Sequence, residues 1–154
     1  MKFATAIIFS LFFALGNSQI SSNVLSNDCF YFIPKERAPF DPSQPSHEIE
    51  IHLSNDPYVY SISDGMVVRI LKISWEKYVI IVRSENLFFV YSDINIIPED
   101  IAEKMKINEG EKIGILKKED NEDDYYNFGF QVFDKTTLDF IDPQNFTKCQ
   151  KVVR

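Results

Sequence analysis

A chain of 154 residues with 45% hydrophobic and 25% charged residues is ordinary globular material, long enough for one domain around a single core. Its formal net charge of −7 excludes a basic stripe of the kind that holds nucleic acid by its phosphates, and it leaves no polybasic patch for an anionic membrane. Fourteen Phe and seven Tyr fit half-buried pleated surfaces, so the composition leans toward β structure.

The first segment reads as an address. Lys2 gives a positive start, Ala6 to Leu15 is apolar apart from Ser10, and the small residues Ala14, Gly16 and Ser18 follow. This is the form of a secretory signal peptide over residues 1–18, cut after Ser18 or after Gly16, and the run is short for a membrane span. An uncleaved anchor is the alternative. Residues 19–46 carry Pro34, Pro39, Pro42 and Pro45, which predicts an extended arm; Cys29 to Ile33 is apolar enough to dock on the body. Export makes the two cysteines, Cys29 and Cys149, read as one disulfide that ties the C-terminal tail, residues 147–154.

From His47 the pattern becomes strand after strand, and residues 47–146 form the expected domain. Glu48 to Leu53 alternates, with Ile49, Ile51 and Leu53 on one face. Further strands are predicted at Tyr58–Ile62, Met66–Ile73, Tyr78–Arg83, Leu87–Tyr91, Lys112–Leu116 and Tyr126–Phe133. The run Val79 to Val82 is expected to be covered on both faces. Asp64-Gly65, Glu85-Asn86 and Glu109-Gly110 are turn signals. Pro98-Glu99-Asp100 opens the best helix candidate, of one or two turns. Glu119 to Asp124 is an acidic loop, with a solvated loop preferred over a Ca²⁺ site because the spaced ligand order is missing. Asp142-Pro143 ends the body. The expected class is all-β: mainly antiparallel sheets, sandwich-like, with at most one short helix.

The succession of pieces resembles the lysostaphin or LytM-type zinc peptidase domain, built on a duplicated hybrid motif. Tyr58-Val59-Tyr60-Ser61 with Asp64-Gly65-Met66-Val67-Val68 is similar to one conserved segment of that family, and Tyr78-Val79-Ile80-Ile81 to the next. Val90-Tyr91-Ser92-Asp93-Ile94 stands where the family has a Tyr-x-His-Leu segment. Ile107 to Gly114 matches a hallmark Gly-turn strand, and Asn127 to Val132 the closing His-x-His strand. The match spans about residues 46 to 146.

The resemblance implies a zinc ion held by a His, an Asp four residues on, and the second His of the closing pair. Three protein ligands leave one position for a water whose pKa the metal lowers. Carried over residue by residue, those positions hold Ser46, Glu50 and Gly129; the first His of the closing pair is Asn127, and the Tyr-x-His-Leu histidine is Asp93. Glycine has no donor, and Ser and Asn are poor zinc ligands, so no catalytic residue and no cofactor are expected. The alternative is zinc on rearranged ligands drawn from His47, Glu50, His52 and Asp93. The two histidines are five apart on a strand, hence on opposite faces, and read as solvent-facing residues. Trp75 reads as a cap on a core edge or as a binding aromatic; Tyr125 and Tyr126 read as groove-lining residues or as ordinary alternating core and surface aromatics.

The resulting expectation is an exported, secreted or periplasmic, non-catalytic domain of this type. It would bind peptidoglycan peptide or regulate a cell-wall hydrolase, with no nucleic acid and no membrane contact after signal cleavage. The alternative is an active zinc endopeptidase acting on peptidoglycan with rearranged ligands.

Overall fold

The computed structural model describes residues 29–34, 47–118 and 125–152. The expected leader at 1–18, the arm apart from 29–34, Ser46 and the loop Glu119–Asp124 lie outside the described residues.

Eleven strands make up the described fold: β1 (Cys29–Phe32), β2 (Ile49–Leu53), β3 (Tyr58–Tyr60), β4 (Gly65–Ser74), β5 (Lys77–Ser84), β6 (Leu87–Ile94), β7 (Lys106–Ile107), β8 (Lys112–Ile115), β9 (Tyr126–Asp134), β10 (Phe140–Ile141) and β11 (Gln150–Lys151). The large sheet runs β11-β1-β2-β9-β6-β5-β4-β7, with β10 beside β9; β3 and β8 form a second, two-stranded sheet. Every pairing is antiparallel except β1 with β11. The fold is therefore all-β and mainly antiparallel, as the alternation implies.

The period of two decides which side chains enter the core. Ile49 and Ile51 of β2, Ile80 and Val82 of β5, Phe89 and Tyr91 of β6, and Phe128, Phe130 and Val132 of β9 are at most 2% exposed. Val59, Ile113 and Leu116 from the small sheet and its exit join the same cluster. Each such side chain contributes about 1.5–3 kcal/mol by leaving water. Tyr91 also holds the two sheets together, since its hydroxyl accepts from the Ile62 N–H at 3.1 Å. Gly65 is required where β4 meets β5: a Cβ there would lie 2.6 Å from the Arg83 carbonyl oxygen.

Two expectations are corrected. Val79 and Ile81 are only half-buried, so the run at 79–82 is fully covered on one face and partly on the other. The segment after Pro98 forms two separate turns (Ile101 N to Pro98 O, 3.0 Å; Met105 N to Ala102 O, 3.3 Å) instead of a helix. Lys104 takes φ 68° and donates to the Val67 carbonyl at 2.7 Å, so pairing with β4 outcompetes helical continuation. The short helix among the described residues is a 3-10 turn at Pro143–Phe146, capped by the Asp142 carboxylate accepting from the Gln144 N–H. Asp before Pro is the matching start signal.

Cys29 and Cys149 are joined by a disulfide across 120 residues of sequence. It staples β1 beside β11, and Tyr31 strengthens the seam: its carbonyl accepts from Val152 N–H and its hydroxyl donates to Gln144 Oε1. Cys29–Phe32 docks as an added strand against β2, as its apolar character suggested.

Candidate functional site

The core takes the odd positions of β2 and the even positions of β9, so the remaining residues share the opposite face of the sheet. Register places Glu50 across from Gly129 and His52 across from Asn127, while Ser92 of β6 lies across from Gly129 on its other side. Three of the positions that the resemblance assigns to the zinc site, Glu50, Asn127 and Gly129, are thus brought together on one patch.

The patch is filled by its own side chains. A Cβ on Gly129 would fall onto Ser92 Oγ and come within 2.6 Å of Glu48 Oε1. Glu48 is 4% exposed, and Gln131 donates to its carboxyl group. Glu50 Oε1 accepts from His52 Nε2 at 2.8 Å and lies 3.5 Å from Asn127 Nδ2. The space a second histidine would occupy is therefore held by Ser92 and Glu48, and the one inherited carboxylate is engaged by His52.

His52 is not solvent-facing as expected; it is 3% exposed. The reason is β1. Phe30 and Phe32 sit across from His52 and Glu50 and lay their rings over the imidazole, with centroids at 4.9 and 4.8 Å; Phe30 is nearly parallel to it. Tyr125 closes the cluster edge-on, 4.9 Å from Phe30 and 6.1 Å from His52. His47 lies outside β2, exposed, stacked on Phe140 at 4.2 Å. Asp93 sits in the left-handed region (φ 63°), which turns its carboxylate toward Lys77 Nζ at 4.0 Å. Within the rearranged set, Glu50 and His52 touch, whereas His47 stacks on Phe140 and Asp93 faces Lys77, and among the described residues no group of three or more His, Cys, Asp or Glu is placed to hold a metal ion. The residues present do not fit a zinc centre: Gly129 offers no donor, and its surroundings leave no room for one.

Glu48, Ser92 and Gln131 were not singled out from the sequence. The signal was available in the alternation, which puts Glu48 in phase with Glu50 and His52, and Gln131 in phase with Asn127 and Gly129. Trp75, expected as a core-edge cap or a binding aromatic, does not cap the core; it is 92% exposed. Tyr91 is fully buried, and burial raises its hydroxyl pKa well above the ordinary tyrosine value.

No protein-family model and no curated protein matches the sequence. Solved structures do match by fold. Csd3 of Helicobacter pylori gives a TM-score of 0.54 at 16% identity, covering 72% of this chain and 29% of Csd3. Lysostaphin gives 0.51 at 14%, covering 65% of this chain and 42% of lysostaphin. A chain of the SpoIIQ–SpoIIIAH pore-forming complex gives 0.51 at 20%, covering 64% and 63%. The chain spans less than a third of Csd3 and less than half of lysostaphin, and at these identities the likeness concerns architecture. Strand order, the paired sheets and these neighbours together give the chain a LytM/lysostaphin-like fold.

Proposed function

We propose that this chain is an exported, non-catalytic module with the LytM fold, which binds peptidoglycan peptide or regulates a cell-wall hydrolase. The observation that carries the reading is Gly129, a ligand position with no side chain, enclosed by Ser92 and Glu48. A zinc peptidase needs three protein donors and an open fourth position for water. Here Glu50 is committed to His52, and Glu48 to Gln131. The disulfide suits an oxidising compartment outside the cytoplasm, which agrees with the leader read at residues 1–18. No helix among the described residues is long and apolar enough to cross a membrane. A neighbour of this fold is part of a pore-forming complex of two proteins, which supports a role for the fold in assembly.

Metal analysis and wall digestion test the reading together. Purified chain should carry substoichiometric zinc after dialysis, release no peptide from peptidoglycan with added zinc, and sediment with insoluble wall or co-purify with a wall hydrolase. Chelator-sensitive cleavage of wall peptides by the chain would overturn it.

A further inference from the structure

Strand β4 is ten residues long and pairs along its length with β5, but its other edge meets β7 only at Gly65 and Met66. Just beyond, a side chain stands in for a strand: Glu103 Oε1 accepts from the Ile70 N–H at 3.0 Å, and the same carboxylate lies 3.8 Å from Arg69 Nη1. From Leu71 to Ser74 that edge has no neighbouring strand among the described residues. An open edge of this kind is a template for an added strand.

The side chains along it are those of a contact surface. Leu71, Ile73 and Trp75 are 45%, 56% and 92% exposed, so three of the seven large hydrophobics left exposed among the described residues fall within positions 71–75. Lys72, Ile73, Ser74 and Trp75 line an open hollow of about 360 Å³. Lys72 Nζ lies over the Trp75 and Tyr78 rings at 5.6 and 5.9 Å, which holds the indole beside a cation. Lys72 places a cation on this edge, while Arg69 lies beside Glu103, on a chain of net charge −7. A second copy pairing here would bring that cation against its own like, which disfavours self-association.

We propose that the open edge of β4 from Ile70 to Ser74 receives an extended acidic segment of a partner protein as an added strand. The segment displaces Glu103 from the Ile70 N–H, sets apolar residues against Leu71 and Ile73, and sets carboxylates against Lys72 on the other face. This edge is separate from the filled zinc-site patch, so the proposal stands or falls independently of that reading.

Trp75 is the chain's single tryptophan, so its fluorescence reports on this edge alone. The probe is a synthetic nonapeptide alternating Glu and Val, titrated into purified chain. A saturable change in Trp75 emission is expected, lost when alternate peptide amides are N-methylated. Glu103→Ala should tighten binding about three- to fivefold by unmasking the Ile70 N–H, and Lys72→Glu should weaken it by a similar factor. Changes in opposite directions cannot both come from unfolding. The proposal is overturned by no saturable response, by an equal response to the N-methylated peptide, or by an emission shift with phosphatidylcholine vesicles and none with peptide, which would assign the hairpin to a lipid surface.

Discussion

Gly129→Ala adds one methyl group at the centre of the filled patch. Its backbone is ordinary strand, so the substitution causes no torsional strain. The new Cβ meets Ser92 Oγ and, at 2.6 Å, Glu48 Oε1, so both must move. Ser92 can rotate, but Glu48 is buried and would have to leave Gln131. Overpacking of this kind costs about 1–3 kcal/mol. Alanine restricts the unfolded chain and returns about 0.4–1 kcal/mol. The net expected loss is about 1–2 kcal/mol, a downward shift of roughly 0.5–1 M in the urea midpoint for a slope near 2 kcal/mol/M. Adding Ser92→Gly should recover part of it, giving a coupling of about 0.5–2 kcal/mol in a double-mutant cycle. Gly129→His should lose more, with no zinc-dependent rise in melting temperature. A neutral or stabilising Gly129→Ala would refute the claim that the ligand position is filled.

Replacing Cys29 and Cys149 with Ser together opens a loop of 120 residues; the chain-entropy model gives a loss of about 5 kcal/mol, and a melting-temperature difference of only a degree or two would contradict it. His52→Ala removes the ring beneath Phe30 and Phe32 and the donor to Glu50, and should cost about 2–4 kcal/mol in chemical denaturation. Burial first, then the hydrogen bond to Asp56 and its charge, push the Tyr60 hydroxyl up to about 12 from 10.0. The folded chain holds that proton more tightly, so the contribution is whole below pH 10 and disappears as pH rises through about 12. Tyr60→Phe should flatten that part of the alkaline stability curve, and an unchanged curve would count against this account.

Much of the sheet is legible because its strands obey a period of two. Ile49, Ile51 and Leu53 face the core as their spacing implies, and the disulfide follows from cysteine count and compartment. The likeness to the fold of lysostaphin is legible in the order of the turns and strands, and the absence of a side chain at Gly129 is read directly. What replaced them is not legible, because Glu48, Ser92 and Gln131 come from three strands and meet only through register. His52 is misread for a related reason: its cover is β1, whose position against β2 depends on long-range pairing. The failed helix after Pro98 shows local propensity yielding to tertiary bonds, since Val67 takes Lys104 and Met105 as its partners.

The bond between Cys29 and Cys149 closes residues 29–149 into a covalent ring whose two junctions with the rest of the chain lie 4.9 Å apart at Cα. Tension applied across Cys29 and Cys149 travels through two sulfur atoms and bypasses the strands between them. A pull applied outside the ring would leave the strands within it unloaded. Reduction would remove that shortcut and expose the strands to the full force.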